Sequence, residues 1–548
     1  KDLNQQVTEA SKMFNELEAG INKTRIEMSE YERIIGERKD EIHRLDVNKK
    51  SINDEIYKLN MKIGEAEKTL REKKKELEDM QKEIQKYKDE YNQCKQLRTE
   101  VQSLIQQKSG LETQVSNLKG TLNGIEKSIT RAEEEKDKAI NTMWKDLDQA
   151  PEFSINISNN SSRAVRSERD FLDSFKETLS DKNIIFSERA INAFHTGLKA
   201  QDMSPIVVLS GISGTGKSLL PKLYAQASGM NFLTVPVQPR WDSPQDMLGF
   251  FNYMQDKYKA TELSRTLWFM DMYNNRSCKW NSEKNLPMNI ILLDEMNLAR
   301  VEYYFSDLLS KLEFRRMVAD KTIREERGIA EIEVECGVIG KEKITRRLFV
   351  NGNTLFVGTM NEDETTQMLS DKVMDRSNMI RFGKPAELQS KPDIEGFGKV
   401  YSNKNSFLSY GTWQEMKGAN RNPLDILSQK RRDILKDQVS MLNDCMDRAG
   451  RPFAYRVWQS IETYVSMYPG ANDSNDKAFH NAIADQIEMK ILPKLNGIEL
   501  DNNENVTRAL QEIQNIIEFT DDENLSEAFR KCSSPENGAF FQWKGVVR

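Results

Sequence analysis

Residues 205–218 read Pro205-Ile-Val-Val-Leu-Ser-Gly-Ile-Ser-Gly-Thr-Gly-Lys-Ser218. An apolar, β-branched run ends at Gly211, and Gly-x-x-x-x-Gly-Lys-Ser follows directly. The order is strand, glycine loop, helix. Gly211, Gly214 and Gly216 let the backbone turn tightly, with Thr215 between them, so that its N–H groups point inward at phosphate oxygens. A helix beginning near Lys217 adds the positive end of its dipole. Lys217 is expected to reach the β- and γ-phosphates and Ser218 to ligate Mg²⁺. An ordinary turn in an α/β protein is the plainer alternative. The apolar strand before the loop and the helical pattern after it favour nucleoside-triphosphate binding.

Outward from this loop, Ile290-Ile-Leu-Leu293 reads as a buried strand that ends in Asp294-Glu295. Acids at the C-terminal edge of such a strand stand where ligands bind in open α/β sheets. Asp294 is expected to help hold Mg²⁺ and Glu295 to polarise the attacking water. A further strand, Thr354 to Met360, delivers Asn361 to the same edge, although Asn is also a common strand-end turn residue. Beyond it, Arg376 is a candidate arginine finger acting on a neighbouring subunit's nucleotide. Arg381 could share or replace that role. Arg456, in Gly450-Arg-Pro-Phe-Ala-Tyr-Arg-Val457, is expected to approach the γ-phosphate from a helical lid, with Arg451 a weaker candidate.

In this order the residues resemble an AAA+ NTPase, closest to the McrB-like branch near the dynein-related and MoxR-like ATPases. The most specific stretch is Asp294 to Glu313, where Asn297, Ala299, Phe305, Asp307 and Glu313 match the McrB pattern. Arg240 to Gly249, Ala454 to Val457 and the helix Ala482 to Gly497 are similar too. The likeness covers roughly residues 165–500. It implies a ring-forming motor, hexameric, in a modification-dependent restriction or antiviral complex with a separate nuclease subunit, acting on DNA or RNA. The family is GTP-using, with a Met-Asn-x-x-Asp signature. Here Met360-Asn-Glu-Asp-Glu364 departs at the fifth position, which leaves ATP and GTP both open. A MoxR-type protein-remodelling ATPase and a coiled-coil scaffold with a nucleotide-dependent assembly switch are the alternatives. The intact Glu295 argues against the pure switch.

Trp241, Phe250, Phe251 and Tyr253 form an aromatic group that could line a pore and grip substrate, although aromatics more often serve packing. Residues Gly328 to Phe349 alternate like an inserted hairpin. No nuclease signature is present, since Pro392-Asp393, Glu395 and Lys399 have the wrong spacing.

From Leu3 to Ile129 the apolar positions recur in steps of three and four, as in Leu3, Val7, Ala10, Phe14, Leu17 and Ile21. A repeat sustained this long predicts a coiled coil with a partner helix. The register is expected to slip at Lys108-Ser-Gly110, with Gly120 and Gly124 a second weak point, and either break is a candidate hairpin tip. Pro151 to Ser162, rich in Ser and Asn, reads as a linker.

The expected organisation is a coiled coil over 1–148, linker and leading helices over 149–200, an α/β AAA+ P-loop core over 201–390, and a helical lid with C-terminal tail over 391–548. Lid helices are expected over Asp425–Asp447, Ala454–Met467 and Asp476–Leu492. A last helix, Val506–Phe519, is followed by an uninformative tail.

The chain of 548 residues is 30% charged and 38% hydrophobic, with a net charge of -6 and a mean hydropathy of -0.69. That balance gives no support to non-specific nucleic-acid binding. Five scattered cysteines without a Cys-x-x-Cys pair suggest neither a zinc site nor a disulfide framework, which fits a reducing cytoplasm. The three histidines, His43, His195 and His480, are far apart and read as ordinary residues. No apolar run is long enough for a membrane span. The chain opens at Lys1 inside a helical pattern, so a preceding segment is expected.

Overall fold

The computed structural model describes residues 94–152, 161–162, 167–339, 342–362, 369–383, 400–401, 406–418, 426–472, 476–500 and 504–546, with short stretches at 6–21, 24–25, 28–30, 33–39, 41, 61, 69–70 and 73–74. Most of the early seam, the middle of the linker (153–160), Glu364 and residues 392–399 lie outside the described residues. The chain forms two compact units, Lys1–Thr130 and Arg131–Arg548. No helix among the described residues is long and apolar enough to cross a membrane.

Helix α1, Cys94–Trp144, runs 51 residues without interruption, about 75 Å at 1.5 Å per residue. It passes straight through Lys108-Ser-Gly110 and through Gly120 and Gly124, so neither is a hairpin tip. A lone glycine costs a helix only about 1 kcal/mol, which the surrounding Leu, Lys, Glu and Gln residues absorb. The apolar register does shift by one residue here, since Ile105 to Leu111 is six residues rather than seven, but the helix continues through the shift. Leu104, Lys108, Leu111, Val115, Leu118, Leu122, Ile125 and Ile129 then run in steps of four and three, with Lys108 occupying a seam position. The seven apolar members are all exposed. Thr113 and Thr121 turn their hydroxyls back onto the carbonyls of Ser109 and Asn117, at 2.7 and 2.8 Å.

Within the second unit, the end of α1 is part of the core rather than of a free rod. Met143, Trp144 and Leu147 are buried. The Arg346 guanidinium lies 4.3 Å from the Trp144 ring and 4.7 Å from the Trp268 ring, and pairs with Asp148 at 2.6 Å. Trp268 Nε1 donates to the same Asp148 at 2.8 Å, and Arg265 pairs with Asp146 at 2.7 Å. Ser161–Ser162, expected as linker, pairs in parallel with Ser406–Phe407.

The centre of this unit is a six-stranded sheet. Its strands are β1 (Ile206–Gly211), β2 (Asn231–Pro236), β3 (Asn289–Asp294), β4 (Thr354–Asn361), β5 (Ser377–Phe382) and β6 (Val400–Tyr401). The spatial order is β5-β1-β4-β3-β2-β6. Only β6 is antiparallel. Period-two alternation sorts the side chains between two cores. Val207, Leu209, Ile290, Leu292 and Val357 face one, with the helices at Glu168–Asp181 and Glu188–Lys199 and the lid. Ile206, Val208, Ile291, Leu293 and Phe356 face the other, with the helix Glu262–Met270 and the end of α1. Burial on both faces explains why these strands are continuously apolar in sequence.

Two hairpins project from the second face: Gly249–Asn252 with Lys257–Ala260, and Glu331–Ile339 with Glu342–Phe349. The second is the hairpin expected between Gly328 and Phe349.

The lid contains helices at Tyr410–Lys417, Gln429–Arg448, Tyr455–Met467, Asp476–Gln486, Glu504–Glu518 and Glu523–Ser533. The helix expected over Asp476–Leu492 instead changes character after Gln486. It widens into a π turn over Ile487–Ile491 and tightens to a 3₁₀ turn over Leu492–Leu495. The tail is also structured. Phe541, Trp543 and Val546 are buried, and backbone bonds from Gly497 to Phe541 (2.9 Å), Phe541 to Ile498 (2.8 Å) and Leu500 to Ala539 (2.9 Å) strap it beside the lid.

Candidate functional site

Parallel pairing brings the strand ends together. Gly211 is level with Asn361 on one side and with Phe382 on the other, and Pro236 is level with Asp294. The glycine loop therefore opens at the C-terminal edge, between β1 and the helix α2 (Leu219–Ser228), where open α/β sheets bind ligands. Gly211 has φ 138°, and a Cβ there would stand 2.2 Å from the Phe382 carbonyl oxygen. Gly214 and Gly216 adopt φ 84° and 86°. At Gly216 a Cβ would also crowd the Phe186 ring at 3.1 Å. Thr215 Oγ1 closes the loop onto the Ile212 carbonyl at 2.9 Å.

Lys217 folds back into the loop, donating to the carbonyls of Gly211, at 3.0 Å, and Ile212. Burial pushes its ammonium below the ordinary lysine value, while Glu362, Glu295 and Asp294 pull the other way. A nucleotide's phosphates would offer it a stronger partner than two neutral carbonyls.

Ser218 Oγ donates to Asp294 Oδ1 at 2.8 Å, and Thr359 Oγ1 donates to the same oxygen, also at 2.8 Å. A hydroxyl and a carboxylate one hydrogen bond apart form an oxygen-only donor set suited to Mg²⁺, which binds through one or two protein oxygens plus phosphate and water. The residues present fit that ion.

Glu295 sits in the left-handed region at φ 54°, a strained conformation for a residue with a side chain. It is held there from two sides. Its N–H donates to Thr359 Oγ1 at 2.9 Å, and its Oε1 accepts from Asn361 Nδ2 at 3.1 Å. Asn297 Nδ2 fixes the Asn361 carbonyl at 2.8 Å.

Three contributors went unnoticed in the sequence. Thr359 shares a strand face with Asn361, two residues on, and that periodicity was the available signal. Glu362 follows Asn361 directly; it accepts from Ser210 Oγ and faces Arg381 Nε at 3.3 Å. Ser210 immediately precedes the loop.

The arginines separate into two groups. Arg381 lies at the loop edge, its backbone level with Ser210, and its Nη1 donates to the Trp543 carbonyl of the tail at 3.0 Å. Arg376 precedes β5, whose first residue is level with Ile206 at the start of β1. Five residues of strand separate the two ends, about 17 Å, so Arg381 does not share Arg376's position. Arg376 donates to Ser310 Oγ at 3.0 Å and stands 3.4 Å from Glu313. Arg456 reaches Glu313 from the lid at 3.7 Å. It therefore stands beside Arg376, not beside its own chain's glycine loop. Arg451 is exposed.

Of the aromatic group, Phe250 and Tyr253 are exposed at the first hairpin, together with Met254. Phe251 is buried, and Trp241 packs edge-on against Tyr304 at 5.2 Å.

The largely parallel sheet with helices packed on both faces is an open α/β core. A family model described as a domain of unknown function, DUF8727, matches residues 406–534, which is most of the lid. No curated protein matches. Among solved structures, a proposed ATPase from Cytophaga hutchinsonii is 14% identical, covering 59% of this chain and 88% of that one with a TM-score of 0.35. A full-length MCM homologue from Methanopyrus kandleri is 9% identical, covering 60% of this chain and 62% of that one, with a TM-score of 0.30.

Proposed function

We propose that the chain hydrolyses a nucleoside triphosphate, ATP or GTP, with Mg²⁺. The observation that carries this is the convergence of Ser218, Asp294, Glu295 and Asn361 on the glycine loop at the ends of three neighbouring strands. Mg²⁺ at Ser218 and Asp294 would neutralise phosphate charge. The loop N–H groups bind the phosphates, and Lys217 exchanges its carbonyl partners for them. Glu295 accepts the proton of the attacking water, oriented by Asn361 and Thr359.

Arg376 and Arg456, with Glu313 between them, are proposed to serve the nucleotide of a neighbouring subunit in a hexameric ring. Their support is position: both stand at the sheet edge opposite their own loop. The finer assignment, a restriction or antiviral motor working with a separate nuclease on DNA or RNA in the cytoplasm, rests on the McrB-like pattern from Asp294 to Glu313. The exposed Phe250, Tyr253 and Met254 favour a second reading, a remodelling ATPase that grips polypeptide.

The seam of α1 is proposed to pair with the same helix of a second copy, parallel and in register. Lys108 would then meet Lys108 in a polar layer, each ammonium already 3.9 Å from its own Glu112. A stagger of one heptad would instead set each Lys108 against a valine, Val115 or Val101, and leave polar defects in two layers in place of one.

The test is steady-state hydrolysis of ATP and GTP side by side, alone and with DNA, RNA or an unfolded polypeptide, for wild type and Glu295→Gln. Stimulation by nucleic acid supports the restriction motor, and stimulation by polypeptide supports the remodeller. Preference for GTP supports the McrB-like assignment. No turnover in a preparation that forms rings overturns the hydrolase reading and leaves the switch.

A further inference from the structure

We infer that Lys490 of the lid, helped by Lys494, is a positioning residue for Arg376. The inference rests on the proposal that Arg376 serves a neighbouring subunit's nucleotide.

The π turn at Ile487–Ile491 adds a residue to one turn of the lid helix, and such turns recur at functional sites. Here it accompanies a fully inward lysine. Lys490 is 2% exposed. Its Nζ donates to the Asp375 carbonyl at 3.0 Å, to Ser204 Oγ at 3.1 Å, and to the Ser377 carbonyl. Both carbonyls flanking Arg376 are thus held by one ammonium. Lys494, in the following 3₁₀ turn, pairs with the Asp375 carboxylate. Desolvation lowers Lys490 to about 7, with Asp375 pulling the other way. Burial thus works against the charged form, and the three oxygen acceptors offset part of that cost.

The clamp also connects to the helix that bears Arg456. Ser204 Oγ lies 2.8 Å from Ser460 Oγ on Tyr455–Met467. At the other end, the tail ties the same π turn to the loop edge. The Val546 N–H donates to Glu488 Oε1 at 3.3 Å, and the Trp543 carbonyl accepts from Arg381, which faces Glu362. One lid therefore touches both ends of β5, the edge that binds its own nucleotide and the edge that presents Arg376. This gives the segment matching the domain of unknown function a role: its position sets the backbone of Arg376.

The experiment uses full-length chains and mixed oligomers. Lys490→Met and Arg376→Ala are each assayed alone and after mixing with Lys217→Ala, whose own site is disabled but whose Arg376 and lid are intact. A misplacement of about 1 Å costs roughly 10²-fold in rate, so Lys490→Met alone should lose about that much kcat while nucleotide affinity is kept. Mixing should restore turnover for both variants, because the Lys217→Ala copies supply a placed Arg376.

Rescue of Arg376→Ala without rescue of Lys490→Met overturns the inference and leaves the arginine's role standing. Failure of mixing to rescue Arg376→Ala, or full activity of that variant alone, overturns the underlying reading. Should Lys490→Met fail to fold, Lys494→Gln loosens the same clamp from its half-buried side. It must then show a smaller kcat loss that mixing rescues, and unchanged kcat sinks the proposal.

Discussion

Asn361 donates a side-chain N–H to Glu295 Oε1 at 3.1 Å, joining the end of one strand to the residue just beyond its neighbour. The carboxylate is thereby aimed by the protein's own side chains, and its strained backbone is secured by the Thr359 hydroxyl. Such preorganisation is what phosphoryl transfer asks of a protein, since positioning and charge supply most of the rate.

Glu295→Gln should keep nucleotide affinity and lose hydrolysis by roughly 10²-fold or more, the usual contribution of a positioned base. Asn361→Ala frees the carboxylate without removing it and should lose less. Single-turnover hydrolysis beside a fluorescent-nucleotide titration separates chemistry from binding. Equal loss of affinity in Glu295→Gln would contradict the role.

Lys217→Ala should abolish nucleotide binding while leaving the nucleotide-free protein folded. Its ammonium is partly desolvated and, among the described residues, hydrogen-bonds the loop carbonyls of Gly211 and Ile212, so its loss should leave the fold intact. Thermal melts without nucleotide should match wild type within a few degrees, on the scale of about 1 kcal/mol. Only wild type should gain melting temperature when nucleotide and Mg²⁺ are added.

Leu118→Cys should form an oxidised dimer in high yield if α1 pairs in parallel register, because each copy then presents the same seam residue to the other. An antiparallel pair would not bring the two Leu118 positions together. Lys108→Ile should strengthen self-association and loosen its register, since a polar seam residue limits partner geometry at a cost in stability. Cross-linking yield and sedimentation read both.

Arg346→Ala should free residues 143–148 from the core. The guanidinium lies between the Trp144 and Trp268 rings and pairs with Asp148. Losing these contacts should cost about 1–3 kcal/mol, with faster hydrogen exchange at the end of α1. Nucleotide affinity should be unaffected.

Glu168 should contribute a definite acid transition. Burial alone would raise its pKa, but Lys199 and His195 outweigh that and bring it down to about 2. His195 bridges Glu168 and Tyr224 at 2.8 and 2.6 Å. Because the folded value lies below the unfolded one, the stabilisation is complete above about pH 4.5 and is lost as pH falls towards 2. Glu168→Gln should be less stable at neutral pH and show a flatter stability profile between about pH 4.5 and 2. Denaturant titrations at several pH values check this.

Local chemistry made much of the site legible in the sequence. The glycine loop, the apolar strand before it, Asp294-Glu295 and Asn361 are each a short pattern, and parallel strands of matched length carry them to one edge without further information. The inserted hairpin and the lid helices are local patterns too. By contrast, the side of the sheet on which an arginine falls depends on strand order and on direction. Arg376 and Arg381 are five residues apart in sequence yet stand at opposite edges, and Arg456 joins the first rather than its own loop. The support from Thr359 and Glu362, the inward turn of Lys490 and the docking of Phe541 and Trp543 arise from packing between segments far apart in the chain. Periodicity fixes the face a residue occupies, while only the assembled sheet and lid decide which distant partner it meets there.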